Sequence, residues 1–229
     1  MGKKYLLFDI DGTLVHAGGA GRRALGAALG AIGVEEEIVR QMPFAGQTDR
    51  QIILGALRAA GFAASELPIL LEQALASYLP HLAGNLQAKP AVPYPLAREL
   101  LQACGRREHL ELALLTGNVP DGARLKLSSA GLWDFFGWGV FGDHSEERAE
   151  LAREARRRIA AGNGRVDPRD IVVIGDTAAD VACGRAIGAF TVAIVSDYEP
   201  REKLRAAGPD LLLDGFAPLF ALWDLPPPA

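Results

Sequence analysis

Three short apolar runs, each stopping abruptly at polar residues, constrain this chain more than any other feature. The first is Tyr5-Leu6-Leu7-Phe8, followed by Asp9-Ile10-Asp11-Gly12-Thr13. The second is Leu110-Glu111-Leu112-Ala113-Leu114-Leu115, followed by Thr116-Gly117-Asn118. The third is Ile171-Val172-Val173-Ile174, followed by Gly175-Asp176-Thr177. Runs so short and so apolar read as strands buried on both faces, the condition of a parallel sheet. A fourth run, Phe190–Val195, follows one helix later, and Trp138–Phe141 and Leu211–Leu213 read as shorter strands. Helical patterns fill the gaps at Pro95–Cys104, Gly122–Ala130, Arg148–Ala161 and Ala179–Ile187. Strands alternating with helices predict an α/β fold, a Rossmann-like parallel sheet covered on both sides.

The pattern changes between Val15 and Val92. Helical periodicity takes over at Gly21–Ile32, Thr48–Ala60 and Ser65–Leu82, with no convincing strand. The chain returns through Lys89-Pro90-Ala91-Val92-Pro93-Tyr94-Pro95, where three prolines in six residues make a stiff connector. The expected organisation is a core of residues 1–15 and 92–229 and a helical insertion of residues 16–91. An insertion placed just after the first acidic cluster lies over the strand ends, where a lid would exclude water. The tail Leu225-Pro226-Pro227-Pro228-Ala229 is expected to be non-helical and frayed.

Composition narrows the function classes. With 229 residues, 49% of them hydrophobic, a sizeable core is available. A net charge of -4 argues against a general nucleic-acid binder. No apolar run reaches the length of a membrane span. The N-terminus runs straight into a strand with no signal-peptide pattern, and there are only two cysteines, Cys104 and Cys183. A cytoplasmic protein with two reduced thiols is the expectation.

In a parallel sheet the three polar strand ends share one edge, which gathers Asp9, Asp11, Thr116, Asp176 and Asp180 into one crevice. Acidic groups crowded there suit a hard cation such as Mg²⁺. The four histidines are scattered and the cysteines show no ligand spacing, so a zinc site is not available. Thr116 and the backbone N–H groups of Gly117 and Asn118 open a helix, and a helix N-terminus with a hydroxyl cradles phosphate. Lys126, ten residues after Thr116, would complete that cradle.

The motifs resemble those of the haloacid dehalogenase-like (HAD) hydrolases over nearly the whole chain. Asp9-Ile10-Asp11-Gly12-Thr13 matches the family's D-x-D-G-T. Leu114-Leu115-Thr116-Gly117-Asn118 matches its second motif, and Gly175-Asp176-Thr177-Ala178-Ala179-Asp180 matches its G-D-x-x-x-D. The resemblance implies a core with a helical cap of the type inserted after the first motif (C1-type). It also implies an Mg²⁺-dependent phosphatase acting on a small phosphorylated metabolite, as a monomer or homodimer, with no nucleic-acid or membrane partner. By that resemblance Asp9 is the nucleophile that forms an aspartyl-phosphate, and Asp11 is the acid and base. Asp9, the Asp11 carbonyl and Asp176 would hold the metal. Asp180 would act on a metal-bound water or on the cradle cation, and Thr116 would hold phosphate.

The third motif departs from the family. Gly142-Asp143-His144-Ser145-Glu146-Glu147-Arg148 contains no lysine, so either Lys126 or Arg148 is the cradle cation, with Lys126 favoured because an ammonium is the usual group. Gly46-Gln47-Thr48-Asp49-Arg50 resembles the cap loop of phosphoglycolate-phosphatase-like relatives and offers Arg50 to an anionic substrate group. His16 is a lesser candidate for the site mouth. Asp11 argues against dehalogenation, and Lys89, the one lysine between residues 16 and 92, sits in the connector and argues against Schiff-base chemistry. Phosphoglucomutase-type transfer and a catalytically silent ligand-binding relative remain as alternatives.

Overall fold

The computed structural model describes residues 2–227. The chain opens with β1 (Lys4–Phe8) and the two-residue β2 (Val15–His16). Four helices follow: α1 (Ala20–Ala31), α2 (Glu36–Gln41), α3 (Asp49–Ala59) and α4 (Leu67–Ala88). The chain then runs through β3 (Val92–Pro93), α5 (Ala97–Gly105), β4 (Leu110–Leu115), α6 (Pro120–Ser129), β5 (Gly139–Val140) and α7 (Arg148–Asn163). It continues with β6 (Ile171–Gly175), α8 (Ala178–Ala186), β7 (Phe190–Ile194), α9 (Arg201–Ala207), β8 (Leu211–Leu213) and α10 (Ala217–Leu222).

The main sheet has six strands in the order β5-β4-β1-β6-β7-β8, all parallel. From β1 the chain builds outward through β4 and β5, then crosses back to build β6, β7 and β8 on the other side. That reversal of direction opens a crevice at the carboxyl ends of β1, β4 and β6. Register brings the ends level, since Phe8 pairs with both Leu114 and Ile174.

Alternation along the strands fills two cores. Leu6, Phe8, Leu112, Leu114, Val172 and Ile174 face one side with α5, α6 and α10. Tyr5, Leu7, Ala113, Leu115, Ile171 and Val173 face the other, against Leu151, Ala155, Ile159, Cys183 and Ile187 of α7 and the region of α8. This two-sided burial explains why the strand sequences read as unbroken apolar runs. The first core continues without a gap into the helical segment, through Ala24, Leu25 and Leu29 of α1 and Leu71, Tyr78 and Leu82 of α4.

Several expectations need correction. β2 and β3 pair antiparallel where the chain leaves and re-enters the sheet, with Val15 opposite Pro93 and His16 opposite Val92. Strands of two residues are too short to show a period. α4 starts at Leu67 and runs on to Ala88, through Pro80, instead of ending at Leu82. Its buried stripe continues to Leu86, and Asn85 Nδ2 donates to the Ala20 carbonyl at 3.1 Å, so packing on α1 outweighs the missing proline N–H. α2, α9 and α10, helices of six or seven residues, are not expected from the sequence. The tail is pinned as far as Leu225, which is buried and whose N–H donates to the Phe220 carbonyl at 2.8 Å. The last two residues of that tail, 228 and 229, lie outside the described residues.

Candidate active site

β1 delivers Asp9 to the crevice, where its N–H donates to the Ile174 carbonyl at 2.9 Å and its side chain is buried. The loop after it turns at Gly12, with φ 81°. A Cβ there would collide with the Asp176 carboxylate and the Tyr198 ring, so only glycine lets this loop lie against Asp176. Asp176, just past β6, accepts from Ser196 Oγ at 2.6 Å and from Thr13 Oγ1 at 3.4 Å. Asp180 belongs to a capping box at the start of α8. Its carboxylate accepts from the Thr177 N–H at 3.0 Å and from Thr177 Oγ1 at 2.6 Å. The Arg148 guanidinium, at the first turn of α7, donates to Asp180 and lies 3.7 Å from Asp9 Oδ1.

Oxygens of Asp9, Asp176 and Asp180 fall within 4.8 Å of one another, all buried. Burial, and then the Asp180 charge, raise Asp9 from the usual carboxylate range to about 7. Burial, and then Asp180 and Asp9, hold Asp176 well above that range. Three carboxylates against one guanidinium leave negative charge that buried protein tolerates poorly. An all-oxygen donor set with that excess fits a hard divalent cation.

A second set forms beside the first. Thr116 Oγ1 is fully buried, bonds Asp9, and accepts from Asn118 Nδ2 at 2.9 Å. Asn118 Nδ2 also donates to Asp11 Oδ2 at 2.9 Å. Lys126, near the end of α6, donates from Nζ to Asp11 Oδ2 at 2.5 Å and to Asn118 Oδ1 at 2.6 Å. Burial pushes its ammonium down, but Asp11 and Asp49 outweigh that and leave its pKa raised. The two candidate cations therefore take different partners: Arg148 faces Asp9 and Asp180, and Lys126 faces Asp11.

These groups line a cavity of about 470 Å³ whose opposite wall comes from the helical segment. Asp49, the first residue of α3 after its Thr48 cap, reaches across to the core. Its N–H donates to the Gly117 carbonyl at 2.8 Å, and its Oδ2 accepts from the Val119 N–H at 2.9 Å. Burial raises the Asp49 carboxyl to about 6. Gly21 and Arg22 of α1 and Tyr78 of α4 also line the cavity, with the Arg22 guanidinium 3.9 Å from the Phe44 ring centroid.

Of the residues singled out from sequence, Asp9, Asp11, Asp176, Gly117, Asn118, Lys126 and Arg148 all line this cavity. Thr116 lies behind it, and Asp180 adjoins it through Asp9 and Arg148. Arg50 is not brought there: its guanidinium sits 3.9 Å from Glu72 of α4. His16 does not line the cavity either, and its ring packs 6.3 Å from that of Tyr198. Sequence reasoning quoted Asp49 in the Gly46–Arg50 loop but gave it no role, and it passed over Tyr78, Gly21 and Arg22. Asp49 alone carried a signal, as an acid directly after a threonine helix cap. Tyr78 reads as one more apolar-stripe position of α4.

The sequence and the fold both have known counterparts. The family model described as haloacid dehalogenase-like hydrolase matches residues 3–188. A phosphoglycolate phosphatase from Rhodospirillum rubrum is 31% identical over 231 residues, covering 98% of this chain and 92% of that protein. A phosphoglycolate phosphatase from Pseudomonas putida is 27% identical over 218 residues, covering 92% and 76%. Among solved structures, CbbY from Rhodobacter sphaeroides in complex with phosphate superposes with a TM-score of 0.74 at 21% identity, covering 95% and 96% of the two chains. A hydrolase from Pseudomonas syringae gives 0.74 at 21% identity, covering 97% and 98%. Among the described residues no helix is long and apolar enough to cross a membrane.

Proposed function

Because the chain belongs to the haloacid dehalogenase-like hydrolase family, we propose that it is an Mg²⁺-dependent phosphatase of the phosphoglycolate type. Its substrate is a small phosphorylated metabolite, its setting the cytoplasm, and its covalent intermediate an aspartyl-phosphate on Asp9. The observation that carries this reading is the pair Asp9 and Asp11, two residues apart, in one buried cavity and each beside its own cation.

Asp9, Asp176 and the Asp11 carbonyl would hold the metal. When bound, it supplies positive charge that lets an anionic carboxylate approach an anionic phosphoryl group. Asp9 attacks the phosphorus, and the bond to the alcohol oxygen breaks as the bond to Asp9 forms. Asp11 gives its proton to the departing alkoxide and then takes one from the water that cleaves the aspartyl-phosphate. Arg148 places charge beside Asp9 and keeps Asp180 tied to the cap of α8. Lys126 and Asn118 hold the Asp11 carboxylate in place. Gly117 offers its N–H to a phosphate oxygen, while the Asn118 N–H donates to Thr116 Oγ1 at 3.3 Å and Thr116 fixes Asp9 from behind. Residues 16–91 serve as the lid over a core of residues 1–15 and 92–229, and closure excludes water from the transfer step.

Purified protein assayed on a panel of phosphate monoesters, with and without Mg²⁺, tests this reading. The expected result is metal-dependent release of phosphate from small esters. Absence of metal-dependent turnover across the panel would overturn it.

A further inference from the structure

The helical segment gives the cavity a wall of two kinds. Asp49 is polar and stands close enough to Lys126 for the two charges to interact. Much of the rest is apolar: Leu25 of α1, Ile52 of α3, and Pro43, Phe44 and Ala45 of the loop between α2 and α3. Leu25 and Ile52 belong to the first core, and the half-buried Phe44 packs against it. The apolar surface of the core thus continues out of the interior and onto the cavity wall. Phosphoryl transfer draws on the charged groups of Asp9, Asp11, Asp176 and Arg148 and leaves this surface without a use. The cavity, about 470 Å³, lies in the range of about 300–1,000 Å³ that encloses drug-sized ligands, well beyond a phosphate on two carbons.

The apolar wall is held in place against the core. Gly46, with φ 74°, brings its loop so near α8 that an added Cβ would stand 2.9 Å from the Ala179 Cβ. The Gln47 N–H donates to the Phe44 carbonyl at 3.2 Å, and Asp49 then ties the chain to Gly117 and Val119. The cations of the cavity are meanwhile engaged. Lys126 bonds Asp11 and Asn118, Arg148 bonds Asp180, and Lys203 Nζ lies 2.5 Å from the buried Glu199 carboxylate. The exposed Arg22 guanidinium lies over the Phe44 ring and extends the wall through a cation–π contact. A carboxylate on the alcohol part of an ester would meet Asp49 and apolar side chains here, whereas an apolar group would displace water from them.

We propose that the wall around Phe44 is a subsite for an apolar body on the alcohol part of the ester, making the substrate the monophosphate of a bulky apolar alcohol and not phosphoglycolate itself. This assignment rests on the phosphatase reading above and narrows its substrate. Asp9, Asp11 and Phe44 line one continuous cavity, so a single molecule reaches the nucleophile and the apolar wall together. Because the wall is fixed before the ester arrives, little ordering opposes the burial of apolar surface on it.

The test compares kcat/KM for 2-phenylethyl phosphate, ethyl phosphate and phosphoglycolate with Mg²⁺ present. The first two esters release alcohols of similar acidity, so their ratio reads recognition of the ring and not leaving-group chemistry. The wild-type chain is expected to prefer the phenylethyl over the ethyl ester by about tenfold or more, the scale on which apolar pockets discriminate. Phe44→Ala should lower that ratio several-fold, and Phe44→Leu should keep most of it. Ala45→Asp, which sets a charge at an exposed position of the same wall, should lower it too and guards against a folding defect in the Phe44 variants. A merely structural loss depresses both esters alike and leaves the ratio unchanged. No wild-type preference for the ring, or a ratio kept in both Phe44→Ala and Ala45→Asp, would overturn the subsite while phosphate release still upholds the phosphatase. Phosphoglycolate better than the phenylethyl ester would overturn the apolar assignment. Failure to hydrolyse any of the three, or an aryl phosphate, would overturn the phosphatase reading and the subsite with it.

Discussion

On the floor of the cavity, Asp9, Asp176 and Asp180 stand at strand and helix ends against the Arg148 guanidinium, locked by hydrogen bonds from Thr177, Ser196 and Thr116. On the roof, Gly21, Asp49 and Tyr78 come from three helices held together by apolar stripes. The roof's polar hold on the floor's side runs through Asp49, which bonds Gly117 and Val119. Charge is concentrated below, and apolar surface lies above. On the proposed reading the difference is a division of labour: the floor carries phosphoryl transfer, and the roof selects which ester arrives.

The largest expected effect breaks the floor alone. Asp9→Asn should lower kcat by about 10⁴-fold or more while circular dichroism shows the fold retained. Near-normal turnover in that variant would move the nucleophile elsewhere and leave the floor without its proposed role.

Next comes a direct contrast of the two walls. Arg148→Met strips the buried carboxylates of their counter-charge and should cost about 3–5 kcal/mol in urea unfolding of the metal-free protein. Asp49→Ala leaves the Val119 N–H unsatisfied and should cost about 1–3 kcal/mol. Its kinetic signature should be a raised KM more than a lowered kcat. Equal costs, or a kcat collapse for Asp49→Ala, would erase the distinction between the walls.

pH should separate them more gently. The Asp9 carboxyl is raised to about 7 by burial first and by Asp180 second. A carboxyl raised in the fold favours folding at pH below its ordinary value, and that contribution is lost as pH climbs through the folded value. The metal-free protein should therefore lose stability between about pH 4 and 7. Asp49, raised to about 6 by burial, adds a similar loss over a narrower window. Mg²⁺ should restore the floor's part only, so its effect on Tm in EDTA-matched scans should be larger at pH 8 than at pH 5. A cation effect independent of pH would argue against the carboxylate cluster as the metal site.

The smallest effect comes from a site outside both walls. Asp210 is held down to about 2, chiefly by Arg169, with burial opposing and the Thr191 N–H assisting. This pair is largely exposed, so Arg169→Ala should cost only about 0–1 kcal/mol at neutral pH. The contribution is present above the ordinary carboxylate range and fades as pH falls toward 2. An effect as large as that of Arg148→Met would mean that charge placement at the cavity has no special weight.

Legibility in the sequence followed the same line. Asp9, Thr116 and Asp176 were readable because each ends an apolar strand, and strand ends in a parallel sheet share an edge. Asp180 was readable because it stands four residues after Asp176, in the G-D-x-x-x-D spacing that resembles the family's. Tyr78 was not, because a tyrosine in an apolar stripe looks the same whether its hydroxyl meets a core or a cavity. Arg50 looked available in its loop, but helix phase turns it toward Glu72 on α4. Arg22, with no motif around it, is the arginine of the helical segment that reaches the cavity wall.

By itself, then, the sequence determined the α/β class, the strands and the acidic edge. These depend on local periodicity and on where a run of apolar residues stops, and both are written in consecutive residues. Tertiary structure alone decided which cation meets which aspartate, Arg148 with Asp9 and Asp180, Lys126 with Asp11. It also decided that Arg22 of α1 lies over the Phe44 ring at the cavity wall. Such meetings depend on how helices are rotated and inclined against each other. Those angles are set by the volumes of distant side chains packed between them, and no window of sequence contains both sides of that contact.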